Sequence, residues 1–293
     1  MTRWGILGRG ALGSVFAAKL AFAGEDVHWV MSESRANRLS ADPFCYTHAQ
    51  SSESHAIQLP VHTHTQQTDL LIIAVKAYQV ESALQSITLA PQTQLLTLQN
   101  GMGSQDFIRK HYPQNTLWAG VTTHAAKRTS QGVCHTGDGI TQVGLYHRAP
   151  SPSAPDWITE LEQAMTNTQY QLDIIPFLWR KLLINSVINP LTALEQCSNG
   201  TLLEPSYQPL IRELTEELTL VANACGQNFH AAEILAIIRD VCQTTAANHS
   251  SMAEDVRNHR RTEIEFINGY IKRQARQQGI ETPINDYLYQ QIS

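Results

Sequence analysis

Gly8-Arg9-Gly10-Ala11-Leu12-Gly13 follows directly on the short apolar run Trp4-Gly5-Ile6-Leu7. A helical pattern through Val15, Phe16, Leu20 and Phe22 comes next and stops at Gly24, and Asp26-Val27-His28-Trp29-Val30 then reads as a second strand. A G-x-G-x-x-G at the turn of a strand–helix–strand unit constrains the fold strongly. The first glycine makes the tight turn, the second lets a pyrophosphate approach the backbone, and the third lets the helix pack on the strand. The uncapped N–H groups and the dipole at the helix start suit phosphate. Gly8, Arg9, Gly10, Ala11, Leu12 and Gly13 are therefore expected to hold a dinucleotide.

The end of the second strand distinguishes the two nicotinamide dinucleotides. A site for NAD places an acid about 20 residues beyond the glycines, on the ribose 2′-hydroxyl. Here Ser32 stands at that point, followed by Glu33, Arg35 and Arg38. A small hydroxyl with an arginine suits a 2′-phosphate, so Ser32 and Arg35 point to NADP(H). Glu33, one position on, is the residue that would reverse the choice.

Asp69 precedes Leu70-Leu71-Ile72-Ile73-Ala74-Val75, a continuous apolar run of the kind a parallel strand covered on both faces carries. Lys76 follows it, where open α/β sheets bind ligands. Gln94–Leu98 ends in Gln99-Asn100-Gly101-Met102-Gly103, and Leu117–Val121 leads to Thr122-Thr123-His124-Ala125-Ala126. Together these strand ends outline one crevice. A strand over Gly139–Leu145, an exposed loop over residues 147–155, a helix over residues 156–167 and a strand over residues 170–175 close the first domain.

No strand pattern appears after Pro176. Helical patterns run over residues 177–197, 205–225, 230–247 and 253–278, so a nucleotide-binding domain (1–175) is expected to be followed by an all-helical domain (176–293), with a cleft between them. Within the first of these helices Lys181, Asn185 and Asn189 recur at i, i+4 and i+8, on one face of an otherwise apolar segment. Such groups cost desolvation energy unless they have partners. A bound polar ligand is one such partner, and a solvent-facing stripe is the plainer alternative. Ser251 reads as an N-cap with Glu254 three residues on, a capping box. In the pattern that follows, Glu263 lies on the side of Ile267 and Tyr270, with Glu265 rotated away. A half-buried carboxylate needs a cation, and Lys181 is the candidate.

A net charge of −5 leaves no footprint for nucleic acid or an anionic membrane. Five scattered cysteines without a C-x-x-C argue for a reducing, cytoplasmic setting without a disulfide framework. Arg9 and Lys19 interrupt the apolar N-terminus, against a signal peptide, and no run reaches the ~20 residues of a membrane span. Although the chain has 12 histidines, it shows no H-E-x-x-H and no ligand cluster, so no metal is expected.

With these segments in view, the chain resembles the ketopantoate reductase (2-dehydropantoate 2-reductase) family over nearly its whole length. The resemblance rests on G-R-G-A-L-G at 8–13, V-K-A-Y-Q at 75–79, Q-N-G-M-G at 99–103, T-T-H-A-A at 122–126, W-R-K-L-L-I-N-S-V-I-N-P-L-T-A at 179–193, C-S-N-G at 197–200, S-S-M at 250–252 and R-T-E-I-E-F-I-N-G at 261–269. It implies an α/β Rossmann-type parallel-sheet N-terminal domain and an all-α C-terminal domain. The implied activity is NADPH-dependent reduction of a small 2-keto acid, 2-dehydropantoate, in pantothenate and coenzyme A biosynthesis, by a monomer or homodimer. Lys181 would be the proton donor, and Asn185, Asn189, Asn199 and Ser251 substrate contacts. Glu263 would sit where nicotinamide meets substrate, Lys76 and Ala126 would line the cofactor, and Asn100 would touch cofactor and substrate. Some members carry an arginine near the position of Ser32; here the nearest is Arg35.

Hydride attack on a ketone leaves an alkoxide that must be protonated as it forms. An unperturbed lysine, with a pKa of about 10.4, is charged at neutral pH and serves this step. His124, also at a strand end, is the rival donor. Other outcomes on the same fold are a two-domain dehydrogenase acting on another 2-keto or 3-hydroxy acid, or a non-catalytic sensor of NADP(H) that needs no proton donor.

Overall fold

The computed structural model describes residues 1–39, 43–51, 53–146 and 153–293, with the side chains of Arg38 and Leu39 left aside. The loop expected over 147–155 therefore lies mostly outside the described residues. The chain divides into two compact units, Met1–Gln99 with Ser104–Ile175, and Asn100–Gly103 with Pro176–Ser293.

In the first unit the order is β1 (Arg3–Leu7), α1 (Ala11–Phe22), β2 (Asp26–Val30), α2 (Glu33–Leu39), β3 (Phe44–His48), β4 (Ser54–Ile57), β5 (Val61–His62), β6 (Leu70–Ile73), α3 (Val80–Gln85), β7 (Gln94–Thr97), α4 (Ser104–His111), β8 (Leu117–Thr122), β9 (Ala125–Arg128), β10 (Gly132–Gly137), β11 (Thr141–Leu145), α5 (Ile158–Ala164) and β12 (Thr168–Tyr170). Eight strands form one sheet in the order β12-β11-β8-β7-β6-β1-β2-β5. From β5 to β8 it is parallel, and β11 joins antiparallel to β8. The chain leaves β1 first toward β2 and later returns to its other side at β6. The glycine loop and Lys76 thus follow the two strands at which the winding reverses, where ligands bind such sheets. Leu70, Leu71, Ile72 and Ile73 are all fully buried, which accounts for their unbroken apolar run.

A second sheet, β4-β3-β10-β9, was not legible in the sequence. Its strands carry histidine, cysteine and threonine, and only alternate positions face inward: Phe44, Tyr46, Val133 and His135 are buried. Phe44, Tyr46 and Val133 join the cluster that contains Val15, Phe16 and Leu20 of α1. Covered by a sheet on each side, α1 is apolar nearly all round rather than along one stripe.

Residues 33–39 form α2. Two boundaries differ from expectation. The strand expected over 170–175 is Thr168–Tyr170, because Ile175 already begins the next helix. The long helix expected over 253–278 is broken, as described below.

The second unit contains α6 (Ile175–Glu195), a 3-10 turn Asn199–Leu203, α7 (Gln208–Ala224), α8 (Ala231–Thr244), α9 (Ser251–Arg257), a 3-10 turn Ile264–Phe266, α10 (Asn268–Gln278) and α11 (Pro283–Ile292). Leu182, Leu183, Val187, Ile188 and Leu191 bury one side of α6. Asn268 ties α10 to α6 by donating to the Ser186 carbonyl at 2.9 Å, and to α11 by donating to Asn285 Oδ1 at 3.0 Å. The break after α9 occurs at His259, whose φ of +53 leaves the helical region. Arg260 Nε then donates to the buried Asp255 at 3.0 Å, turning the chain back on α9. No helix among the described residues is long and apolar enough to cross a membrane.

Candidate active site

Gly8 has a φ of +118, and a Cβ there would lie 2.8 Å from the Ala74 and Val75 backbone. At Gly13 a Cβ would lie 2.1 Å from the Gly8 carbonyl oxygen. Both glycines are thus demanded by the chain's own packing. Gly10 is not: a Cβ there would meet only the Ala74 oxygen, at an ordinary 3.6 Å. The space over Gly10 is space for something outside the chain. Gly10 is also the N-cap of α1, with no side-chain cap and no acid in the first helical turn. The N–H groups at the start of α1 and their positive field are thereby left for an anion.

A cleft of about 240 Å³ opens beside this loop, lined among others by Gly8, Arg9, Met31, Ser32, Arg35 and Gln79. Ser32 precedes α2, and its carbonyl accepts from the Arg35 and Ala36 N–H groups at 2.9 Å. Starting a helix at Glu33 places Ser32 and Arg35 in the lining of the cleft, and Glu33 is not part of that lining. The Arg9 guanidinium lies over the rings of Trp29 and Phe44, at 5.9 and 5.6 Å from their centres. Lys76 is partly buried after β6, and its N–H donates to Gln79 Oε1 at 3.3 Å. Ala126 lies on β9, in the second sheet.

The helical unit gathers the remaining predicted residues. Lys181 and Asn185 are partly buried on α6, and Asn189 is buried one turn further on. Burial pushes the Lys181 ammonium down to about 8, while the carboxylate of Glu263 pulls in the opposite direction. This lysine departs from the unperturbed value expected from the sequence, because a charge loses solvation when it leaves water. Glu263 is buried, at 4% exposure. Its burial comes from a route other than the continuous helix expected: it stands at the start of the 3-10 turn, and its carbonyl accepts from the N–H groups of Phe266 and Ile267. Glu265, in the same turn, pairs instead with Arg273 and Tyr289.

Asn100 Nδ2 donates to Glu263 Oε2 at 3.4 Å. The Met102 N–H reinforces the approach by donating to the Phe266 carbonyl at 2.8 Å, and a Cβ on Gly101 would lie 2.1 Å from that same oxygen. This explains why Asn100–Gly103, read from sequence as the end of a strand, belongs with the helical unit.

Asn199 is buried at the start of its 3-10 turn. Its Nδ2 donates to Thr245 Oγ1 at 2.9 Å, whereas its Oδ1 has no hydrogen-bond partner among the described residues. A buried acceptor left in this way favours a donor from outside the chain. Ser251 is exposed in the first turn of α9 and does not cap it. The cap is Ser250, whose Oγ accepts from the Ala253 N–H at 3.1 Å and lies 2.7 Å from Thr192 Oγ1. Two adjacent serines gave no sign of which would cap; the third residue after Ser250 is Ala253, so no capping box forms. Ser250 and Thr192 were not singled out in the sequence, yet they fix where Ser251 stands.

His124 does not suit the role of donor. Its Nδ1 accepts from the Gly139 N–H at 3.1 Å and faces His135 Nε2 at 3.1 Å, and burial pushes its pKa down to about 4. At neutral pH it carries no proton that it can readily give up.

The family model described as ketopantoate reductase PanE/ApbA matches residues 4–148, and its C-terminal counterpart matches residues 173–293. A curated 2-dehydropantoate 2-reductase of Vibrio cholerae serotype O1 is 39% identical over 294 residues, covering 98% of this chain and 95% of that protein. Among solved structures, a PanE/ApbA family ketopantoate reductase from Ralstonia eutropha JMP134 is 25% identical, with a TM-score of 0.87 over 99% of this chain and 97% of that one. A D-mandelate dehydrogenase in complex with NADH matches with the same identity of 25%, TM-score of 0.87 and coverage of 99% and 97%.

Proposed function

Since the chain belongs to the ketopantoate reductase PanE/ApbA family, we propose that it reduces 2-dehydropantoate to pantoate with NADPH, as a cytoplasmic step of pantothenate and coenzyme A biosynthesis. The observation that carries this proposal is a lysine brought to about 8 by burial, opposed by the buried Glu263 that Asn100 holds.

Gly8–Gly13, Ser32, Arg35, Lys76 and Ala126 belong to the first unit, and Asn100, Lys181, Asn185, Asn189, Asn199, Ser251 and Glu263 to the second. The fit to a dinucleotide rests on the room over Gly10 and the uncapped start of α1. Ser32 and Arg35 in the cleft favour a 2′-phosphate, and Arg9 adds positive charge there. When bound, the reduced nicotinamide supplies a hydride to the ketone carbon. The Lys181 ammonium polarises the ketone oxygen and passes its proton to that oxygen as the carbon–oxygen double bond becomes single. A donor with a pKa near the working pH is efficient in this role. Glu263 keeps Lys181 in its charged form and aimed, and Asn100 fixes the Glu263 carboxylate. Asn185, Asn189 and Ser251 are neutral groups suited to a substrate carboxylate and hydroxyl. Asn199 Oδ1, which has no hydrogen-bond partner among the described residues, accepts from the hydroxyl.

The test is consumption of NADPH with 2-dehydropantoate, run beside NADH and beside other 2-keto acids, mandelate's keto acid included. Turnover strongest with NADPH and 2-dehydropantoate supports the proposal. Preference for another keto acid would overturn the substrate while keeping the lysine chemistry, and preference for NADH would overturn the role of Ser32 and Arg35.

A further inference from the structure

His48 on β3, His135 on β10 and Asp138 just after β10 each offer one ligand atom, and these atoms lie within 4.8 Å of one another. We propose that this trio is a zinc site that braces the small sheet. It departs from the expectation of no metal, because ligands far apart in the chain leave no short motif.

The hydrogen bonds around His135 fix which of its nitrogens is free. His124 Nδ1 accepts from the Gly139 N–H, so that nitrogen carries a lone pair. His135 Nε2, 3.1 Å away, is therefore the protonated nitrogen and donates to it. It follows that His135 Nδ1 bears a lone pair, facing Asp138 Oδ1 at 3.8 Å. Two acceptors turned toward each other have no proton between them. Without an ion the Tyr46 hydroxyl, 3.1 Å from the same Nδ1, donates to it, and His48 Nε2 lies 3.2 Å from the other carboxylate oxygen. A cation exchanges these bonds for direct ligation by the Nδ1 lone pair and the carboxylate. A ligand histidine that donates its other ring N–H to a neighbouring acceptor is the usual outer shell of a metal-bound imidazole. His135 is fully buried, so its ring is held in place by the packing around it.

His48 completes the set from the solvent side. Its Nε2 is 3.2 Å from Asp138 Oδ2, and its side chain is 18% exposed. Without an ion, the Gln50 N–H donates to His48 Nδ1 at 3.2 Å, which places the His48 proton on Nε2, toward Asp138. Ligation moves that proton to Nδ1 and gives up the exposed Gln50 bond. Two imidazoles and one carboxylate suit zinc, with a fourth position left for water. Asp138, nearly half exposed, gives the ion a way in.

The site ties β3 to β10 and, through His124, stiffens the segment that leads to Ala126. The test uses the tag-free, full-length protein after chelator treatment. Cobalt(II) is titrated as a visible-absorbing stand-in for zinc, and melting is followed with and without zinc. One equivalent of cobalt should produce saturable d–d absorption that zinc bleaches, and stoichiometric zinc should raise the melting temperature. His48→Ala and Asp138→Asn, both at accessible positions, should each weaken binding by roughly tenfold or more and abolish the zinc-induced rise. NADPH binding and circular dichroism verify that both variants are folded. Absence of saturable cobalt binding would overturn the proposal. So would binding unchanged in both variants, which would place the ion at other histidines such as His28, His62 and His64.

Discussion

Asn100 donates its side-chain amide to the buried carboxylate of Glu263 at 3.4 Å, from a four-residue segment that packs with the helical unit although the first unit flanks it on both sides in the chain. Glu263 in turn opposes the burial that lowers Lys181, so the charge of the lysine depends on a carboxylate held in place by an amide.

That dependence sets a pH profile. Lys181 gives a proton only when charged, which it is below about 8. For ketone reduction, kcat/KM is expected to hold on the acid side of this value and to fall as pH rises through it. Glu263→Gln removes the influence that raises the lysine, so the falling limb should move to lower pH. A limb that stays in place or moves upward in this variant would show that Glu263 does not act on Lys181.

Arg35 lines the cleft at the end of β2. Losing one charged hydrogen bond to a 2′-phosphate at this exposed position should raise the Kd for NADPH roughly tenfold. The Kd for NADH, which has no such phosphate, should change little. Titration of Arg35→Ala with both nucleotides checks this, and equal weakening of the two would show that Arg35 does not read the phosphate.

The two adjacent serines should separate stability from binding. Ser250→Ala removes the cap of α9 and the contact with Thr192, and should cost about 1–2 kcal/mol in a denaturant titration. Ser251→Ala removes an exposed hydroxyl and should leave stability unchanged while raising KM for the keto acid. Loss of stability in the Ser251 variant would mean the roles have been exchanged.

The strands around the glycine loop were legible because each is a burial pattern confined to a few consecutive residues: Leu70–Ile73 cannot be read as anything exposed. The stripe Lys181, Asn185, Asn189 was legible for the same reason, being set by helical spacing alone. The second sheet was not, since the burial of Tyr46 and His135 arises from contacts between strands distant in the chain. Nor was the break between α9 and α10: Val256 and Ile267 lie three helical turns apart and read as one face, although the polar stretch between them turns at His259. The lowered pKa of Lys181 is a property of burial in three dimensions, and composition carries no trace of it.

Turnover of Lys181→Ala with NADPH and 2-dehydropantoate, measured beside the affinity for NADPH, bears most directly on the proposed chemistry. Removing the proton donor should lower kcat by roughly 10²–10⁴ while NADPH binding is retained. Near-normal turnover in this variant would show that the proton comes from elsewhere and that the lysine on α6 is not the acid.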